Sequence, residues 1–304
     1  MNDHAVIEEL RRRLKSSMLP FLADAIEQLS TKPGYNELLA DVLDALKRSY
    51  PDKPWPNWAA NGLLRFNRSV ILEELKFRDS GKYSRNLDET DDINEAIYKS
   101  QDVMEGYYLV GLLLTYFTWI HHSRILDFYR SEFLARPGAV ATGMEWGVGH
   151  GLLTWLAARA WPEATFTAGD LSPHSIEFSR RLLSAEGFGD RVHYVQGDVL
   201  SDDLVLPRVD RLICSELLEH VSDPAKVTRR VASCLNPQGL AFITAAVNAP
   251  QEDHVFLFRS ADEVAELIAA SGLTIERALP VVHPNSEGRA EPPTVLAVVA
   301  SLRS

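Results

Sequence analysis

Residues 144–151 read Met-Glu-Trp-Gly-Val-Gly-His-Gly, and no other stretch limits the fold as tightly. An apolar run ends in an acid, glycines follow at 147, 149 and 151, and a helical pattern begins at Leu152. Strand, tight turn and helix in that order make a cradle for a nucleotide-like ligand. Glycine lets the backbone approach a ligand where a β-carbon would clash. The free N–H groups of the helix start can hold a negative group.

The periodicity on either side of Arg136-Pro137-Gly138 differs. Before it, apolar residues recur at helical spacing over Val6–Leu14, Leu19–Leu29 and from Pro33 onward. The breaker Pro51–Pro56 predicts a loop. Trp58–Arg78 reads as a helix, Asp91-Asp92 opens a long one that includes Tyr107–Ile120, and another covers about Ser123–Leu134. After the boundary, β-rich runs at 139–145, 164–169, 191–196, 209–215, 239–246, 273–282 and 294–300 appear. Helical patterns at 151–160, 173–186, 224–235 and 261–271 fill most of the gaps. That alternation predicts an α/β, Rossmann-like, doubly wound and mostly parallel seven-stranded sheet. The expected organisation is an all-helical cap over 1–136 and a ligand-binding α/β domain over 137–304.

Composition excludes some partners. A formal net charge of −11 disfavours nucleic acid and anionic membrane surfaces, which call for basic patches. The longest apolar run is too short to cross a bilayer. Arg11-Arg12-Arg13 is not followed by an apolar core, so no secretory signal is expected and a cytoplasmic location follows. Cys214 and Cys234 form no Cys-x-x-Cys pair and read as buried structural thiols.

An acid stands where almost every early strand ends: Glu145, Asp170 before Leu171, Asp198 before Val199, and Glu216 after Ser215. In an open α/β sheet, ligands bind outside the carboxyl ends of the strands. A carboxylate at Asp170 can accept both hydroxyls of a ribose, and Asp198 can accept from an adenine amino group beside the Val199 N–H. Residues 140–246 resemble the core of class I S-adenosylmethionine-dependent methyltransferases. The resemblance rests on Glu-x-Gly-x-Gly-x-Gly at 145–151, Asp170, Gly-Asp-Val at 197–199, Ser-Glu-Leu-Leu-Glu-His-Val at 215–221 and Leu-Asn-Pro-Gln-Gly-Leu at 235–240. It implies S-adenosylmethionine as cofactor, held by Glu145, Gly147, Gly149, His150, Asp170, Leu171, Asp198, Val199, Ser215 and Glu216. His150 is expected at the helix start near the methionine end. The small-molecule and natural-product members add helical caps over the substrate site. A nicotinamide site is disfavoured, because Leu152 occupies the last glycine of that fingerprint and no Tyr-x-x-x-Lys pair occurs.

Methyl transfer needs alignment, exclusion of water and removal of the acceptor's proton. His254, in the loop 248–258, is the first candidate base, and Tyr108 in the cap is a second catalytic candidate. His283 follows the sixth strand, which should end on the same rim as the fifth. Asp253, His254 and His283, with Glu252 near, would then make a divalent-metal site with open positions. Similar sets serve methyltransferases that alkylate the carbon next to a 2-oxo acid. Of the cap aromatics Tyr107, Tyr108, Tyr116 and Trp119, most read as core. At most one of the adjacent His121 and His122 can face the site, and His220 reads as structural. The expected function is methyl transfer to a small-molecule acceptor, with C-methylation of an enolisable 2-oxo acid as its metal-assisted form. Alternatives are O- or N-methylation with His254 as metal-free base, and a non-catalytic cofactor-binding partner subunit. The cap also offers a surface for a homodimer.

Overall fold

The computed structural model describes residues 3–284, 286 and 290–303. Of the loop expected between the last two strands, residues 285 and 287–289 therefore lie outside the described residues.

The sheet has seven strands: β1 (Thr142–Trp146), β2 (Thr165–Asp170), β3 (Val192–Gln196), β4 (Val209–Ser215), β5 (Leu235–Val247), β6 (Leu273–Val282) and β7 (Thr294–Leu302). Their order is β3-β2-β1-β4-β5-β7-β6. The first five pair in parallel, while β7 runs antiparallel between β5 and β6. Val247 and Val282 both face Thr294, so β5 and β6 end at the same rim, as the sequence predicts.

The helical region begins with α1 (Asp3–Lys15), α2 (Phe21–Leu29), α3 (Tyr35–Ser49) and α4 (Asn57–Ser80). The long helix expected from Asp91 is instead a chain of short turns. A capping box at Asn86 opens the turn Leu87–Glu89, and α5 (Thr90–Ile93) runs into a π-turn over Asn94–Tyr98. Ser100 then accepts a bond from the Val103 N–H and starts α6 (Gln101–Val103). A second π-turn (Met104–Tyr108) leads into α7 (Leu109–Thr118). Trp119, extended at φ −106°, separates α7 from α8 (Ile120–Phe128), and a third π-turn covers Tyr129–Leu134. Each π-turn adds a residue to the 3.6 of an α-turn. Apolar spacing read at 3.6 therefore misses the breaks.

The crossovers are α9 (Leu152–Ala160), α10 (Pro173–Ala185), α11 (Pro224–Ser233) and α12 (Ala261–Ala270). α11 and α12 cover one face of the sheet with Val227, Val231, Val264 and Ile268. The other face shares one continuous core with the helical region: Leu39, Phe66, Leu113 and Phe133 cluster with Trp155, Phe166 and Phe242. Both thiols are buried and free. No single helix among the described residues is long and apolar enough to cross a membrane.

α4 and α7 approach each other at two glycines. A β-carbon on Gly111 would lie 2.5 Å from the Phe66 Cβ and 2.9 Å from the Gly62 carbonyl oxygen. Gly111→Ala should lower stability by about 1–3 kcal/mol through overpacking. Gly106→Ala, whose β-carbon would meet nothing within 4 Å, is the control. Urea unfolding of both compares them, and equal midpoints would refute the close crossing.

Candidate active site

The glycine loop owes its shape to backbone that other residues rarely adopt. Gly147, Gly149 and Gly151 have φ of 77°, 48° and 79°. Gly151 is the tightest, since a β-carbon there would fall 2.4 Å from the Ser179 hydroxyl oxygen. The loop is held against β2. Gly147 and Val148 donate to the Gly169 carbonyl, and Gly149 donates to Asp170 Oδ2 at 2.9 Å. Asp170 Oδ1 accepts from the Ser172 N–H at 2.8 Å. Burial raises the Asp170 pKa, and these two backbone donors work against that rise.

One cleft at the carboxyl edge is lined by Glu145–Gly149, His150, Asp170, Leu171, Asp198, Val199, Ser215 and Glu216. All ten residues expected at the cofactor thus border a single space. Their parts differ. Asp198 and Leu171 are exposed at its mouth. Glu145 is buried; its Oε2 accepts from the Thr154 N–H at 2.9 Å and from the Thr154 hydroxyl. It therefore braces the start of α9 from the cleft floor, and burial lifts its pKa to about 8. The His150 Nδ1 accepts from the Leu152 N–H at 3.1 Å, which fixes the ring at the helix start. Glu216, in left-handed backbone at φ 49°, accepts from the Thr244 hydroxyl at 2.7 Å. Strained backbone of this kind collects at functional sites.

The opposite wall comes from the cap: Thr90, Asn94, Tyr98, Met104, Tyr108, Leu109, Leu112, Tyr116 and His122. Tyr108 is thus at the site as expected, and so is His122, the one member of the adjacent pair that faces the cleft. The cap is fastened through a buried carboxylate. Asp253 Oδ2 accepts from the Tyr108 hydroxyl at 2.5 Å and from the Tyr98 hydroxyl at 2.9 Å. His220 Nδ1 stands 3.3 Å from the same oxygen. Burial opposes ionisation of Asp253, but His220 holds it well below the ordinary range. Burial alone would lower the His220 pKa; Asp253, with Glu219 and Glu216 behind it, raises it to about 9.

Three catalytic or metal expectations need correction. His254 does not line the cleft. It is fully buried, edge-on to Tyr83 and His220, and burial drops its pKa to about 3. The two residues sit in a tight turn in which the His254 N–H donates to the Gln251 carbonyl; Asp253 meets the cap tyrosines, while His254 packs on Tyr83 and His220. His283 does not join them. β7 lies between β5 and β6, which puts their ends about 10 Å apart at a strand spacing near 4.8 Å. His283 stacks instead on His121, with centroids 3.9 Å apart. Among the described residues, the ligating atoms that converge within 4.8 Å belong to Glu219, His220 and His254. His220, read as structural from the sequence, lines the cleft. Its signal was its place after the Glu216 strand end. Tyr98 had none, because no 3.6-residue pattern covers its π-turn.

Residues 144–239 match the family model described as a methyltransferase domain. Among relatives, the ubiquinone biosynthesis O-methyltransferase of Xanthomonas campestris pv. campestris is 34% identical over 125 residues, covering 40% of this chain and 49% of that protein. The protein of the same name from Serratia proteamaculans is 35% identical over 124 residues, covering 40% and 50%. The matches span about half the length of these relatives. The N-methyltransferase NodS from Bradyrhizobium japonicum WM9, solved with S-adenosyl-L-homocysteine, shares the fold with a TM-score of 0.51 at 16% identity, over 71% of this chain and 99% of that one.

Asp170→Ala removes a charged acceptor from the cleft. A hydrogen bond to such a group contributes about 1.5–3 kcal/mol. Isothermal titration should find S-adenosylhomocysteine bound at least tenfold more weakly, and unchanged affinity would remove Asp170 from the cofactor site.

Proposed function

We propose that this chain, whose residues 144–239 match a methyltransferase domain model, transfers a methyl group from S-adenosylmethionine to a small-molecule acceptor beneath the helical cap. One observation carries the reading. The glycine loop and the acids that end β1, β2 and β4, with Asp198 just after β3, open onto a single cleft whose opposite wall is the cap. The residues present fit the cofactor: Asp170 for its ribose, Asp198 and Val199 for its adenine, the glycine loop and His150 for its methionine end. When bound it supplies the methyl group as a sulfonium. Relatives named O-methyltransferases support oxygen as the acceptor atom.

The chain's own contribution is alignment, dryness and proton removal. Tyr116, Leu109, Leu112 and Met104 close the cleft with apolar and aromatic surface. Such faces suit a sulfonium. Tyr108 donates its proton to Asp253, so it positions rather than abstracts. His220 is the base in this reading: Asp253 and the Tyr98 hydroxyl occupy Nδ1, which leaves Nε2 for the acceptor. The ring keeps its proton below about pH 9. The base form, and with it kcat/KM, should rise with pH toward an inflection at or below that value. In His220→Gln the profile should be flat and turnover about 10²–10⁴-fold lower. An unaltered profile would dismiss His220 as the base.

A second reading, metal-assisted C-methylation of an enolisable 2-oxo acid, has its own support. Among the described residues, both carboxylate oxygens of Glu219 and both ring nitrogens of His254 are buried without a side-chain hydrogen-bond partner. Each such atom costs about 1–3 kcal/mol. With His220 they form a two-histidine, one-carboxylate set suited to a divalent transition ion, and Asp253 would orient His220 from the second ring nitrogen. Such an ion acts as a Lewis acid toward the acceptor's oxygens. Elemental analysis of protein purified without chelator should find about one ion per chain, lost in His254→Ala. Full activity in excess chelator would rule this form out.

A further inference from the structure

A second cleft, of about 410 Å³, lies on the far side of the wall that closes the first. One side is a stripe of α4: Asn67, Val70, Ile71, Glu74, Leu75 and Arg78. The others are Trp119 and His121 at the break between α7 and α8, Ala249–Gln251 after β5, and His283 with its neighbouring prolines after β6. Gln251 lines both clefts. The two adjacent histidines divide between them, His122 in the first and His121 in the second.

Two independent features mark this cleft as a binding place. His121 is 7% exposed, and among the described residues neither ring nitrogen has a hydrogen-bond partner. Native structures leave few buried polar atoms unpaired, and each calls for a physical reason. At the rim, α4 exposes Ile71 (41%) and Leu75 (52%), one turn apart. Large side chains left in water beside a cavity mark a site that an apolar surface covers.

The lining defines the ligand. Trp119 packs on His121 at 5.0 Å between centroids, and His283 stacks on it at 3.9 Å. These flat faces, with Val70, Leu75 and Pro250, suit an aromatic ring. A neutral imidazole offers one donor and one acceptor, the complement of a hydroxyl group. Burial, with His283 and His122 nearby, keeps His121 neutral.

We infer that this second cleft binds a hydroxylated arene, with His121 pairing with the hydroxyl, and is the entry site for the acceptor of the transfer cleft behind Gln251. The inference rests on the methyl-transfer reading and gives it a substrate class.

The test uses the full chain saturated with S-adenosylhomocysteine, titrated calorimetrically with 2-naphthol. One molecule should bind, and naphthalene, which lacks the hydroxyl, should bind at least tenfold more weakly. His121→Leu should remove that difference. Leu75→Arg, a change at an exposed position, should weaken 2-naphthol at least tenfold. S-Adenosylhomocysteine affinity should stay unchanged in both. Absence of 2-naphthol binding, or binding indifferent to Leu75→Arg, overturns the second cleft while the cofactor reading stands. A retained hydroxyl preference in His121→Leu overturns the pairing. Failure of the parent chain to bind S-adenosylhomocysteine overturns the methyl-transfer reading and this inference with it.

Discussion

Beside the continuous apolar core that the two regions share, a buried carboxylate ties the cap wall of the cleft to the sheet. Asp253 has no exposure, and an isolated charge in that position would not be tolerated. Its ionised form persists because three groups from distant parts of the chain converge on it: Tyr98 and Tyr108 from the cap and His220 from the turn after β4. Breaking such a pair leaves an uncompensated charge, at a cost of about 3–5 kcal/mol. The cap wall of the cleft is therefore not an independent lid resting on the sheet. Its π-turns present Tyr98 and Tyr108 to one oxygen atom, and the cleft between them and the glycine loop exists as a consequence.

Hydrogen-bonding capacity around this rim is unevenly used. Glu145 and Asp170 are met by backbone N–H groups of Thr154, Gly149 and Ser172, so their placement is fixed before any ligand arrives. Among the described residues, the polar atoms of Glu219, His254 and His121 are buried as deeply and have no side-chain hydrogen-bond partner. Preorganised acids mark where a ligand's geometry must be matched. Unmet atoms mark where the folded chain by itself is incomplete. The first kind lies along β1 and β2, the second behind β4 and β5 and along the α7–α8 break. That division separates the proposed cofactor region from the regions assigned here to a metal and to an acceptor.

That the strand-end acids and the glycine loop border one cleft was legible in the sequence because the arrangement is local. Each strand-end acid sits within a few residues of its own turn, and a parallel sheet gathers strand ends on one rim whatever the loops do. The remainder depends on contacts between residues far apart in the chain, such as Tyr98 with Asp253. The tight turn closed by the His254 N–H on the Gln251 carbonyl decided between Asp253 and His254, and nothing in their composition favours one over the other. His283 shows a different limit. The shared rim of β5 and β6 was read correctly, but β7 returns between them, and that insertion carries His283 away from His254 to His121. The π-turns explain the broken cap helices: a pattern with an added residue per turn has no period to read.

Transfer between two clefts requires the wall between them to yield without loosening the cap. The backbone of that wall is pinned at both ends. Asn248 donates to the Phe258 carbonyl, and Val255 and Phe256 both donate to the Glu219 carbonyl. The Gln251 carbonyl accepts from the His254 N–H. Among the described residues the Gln251 side chain, in contrast, takes part in no hydrogen bond, so its rotation disturbs neither Asp253 nor the ligating cluster behind it. A side-chain gate in a fixed backbone is compatible with a dry transfer cleft, since opening it moves a few atoms rather than the cap. In the proposed scheme a charged cofactor then approaches past exposed Asp198 and Leu171, and an apolar acceptor approaches past Ile71 and Leu75. Each arrives over surface of its own character, and neither crosses the place the other must occupy.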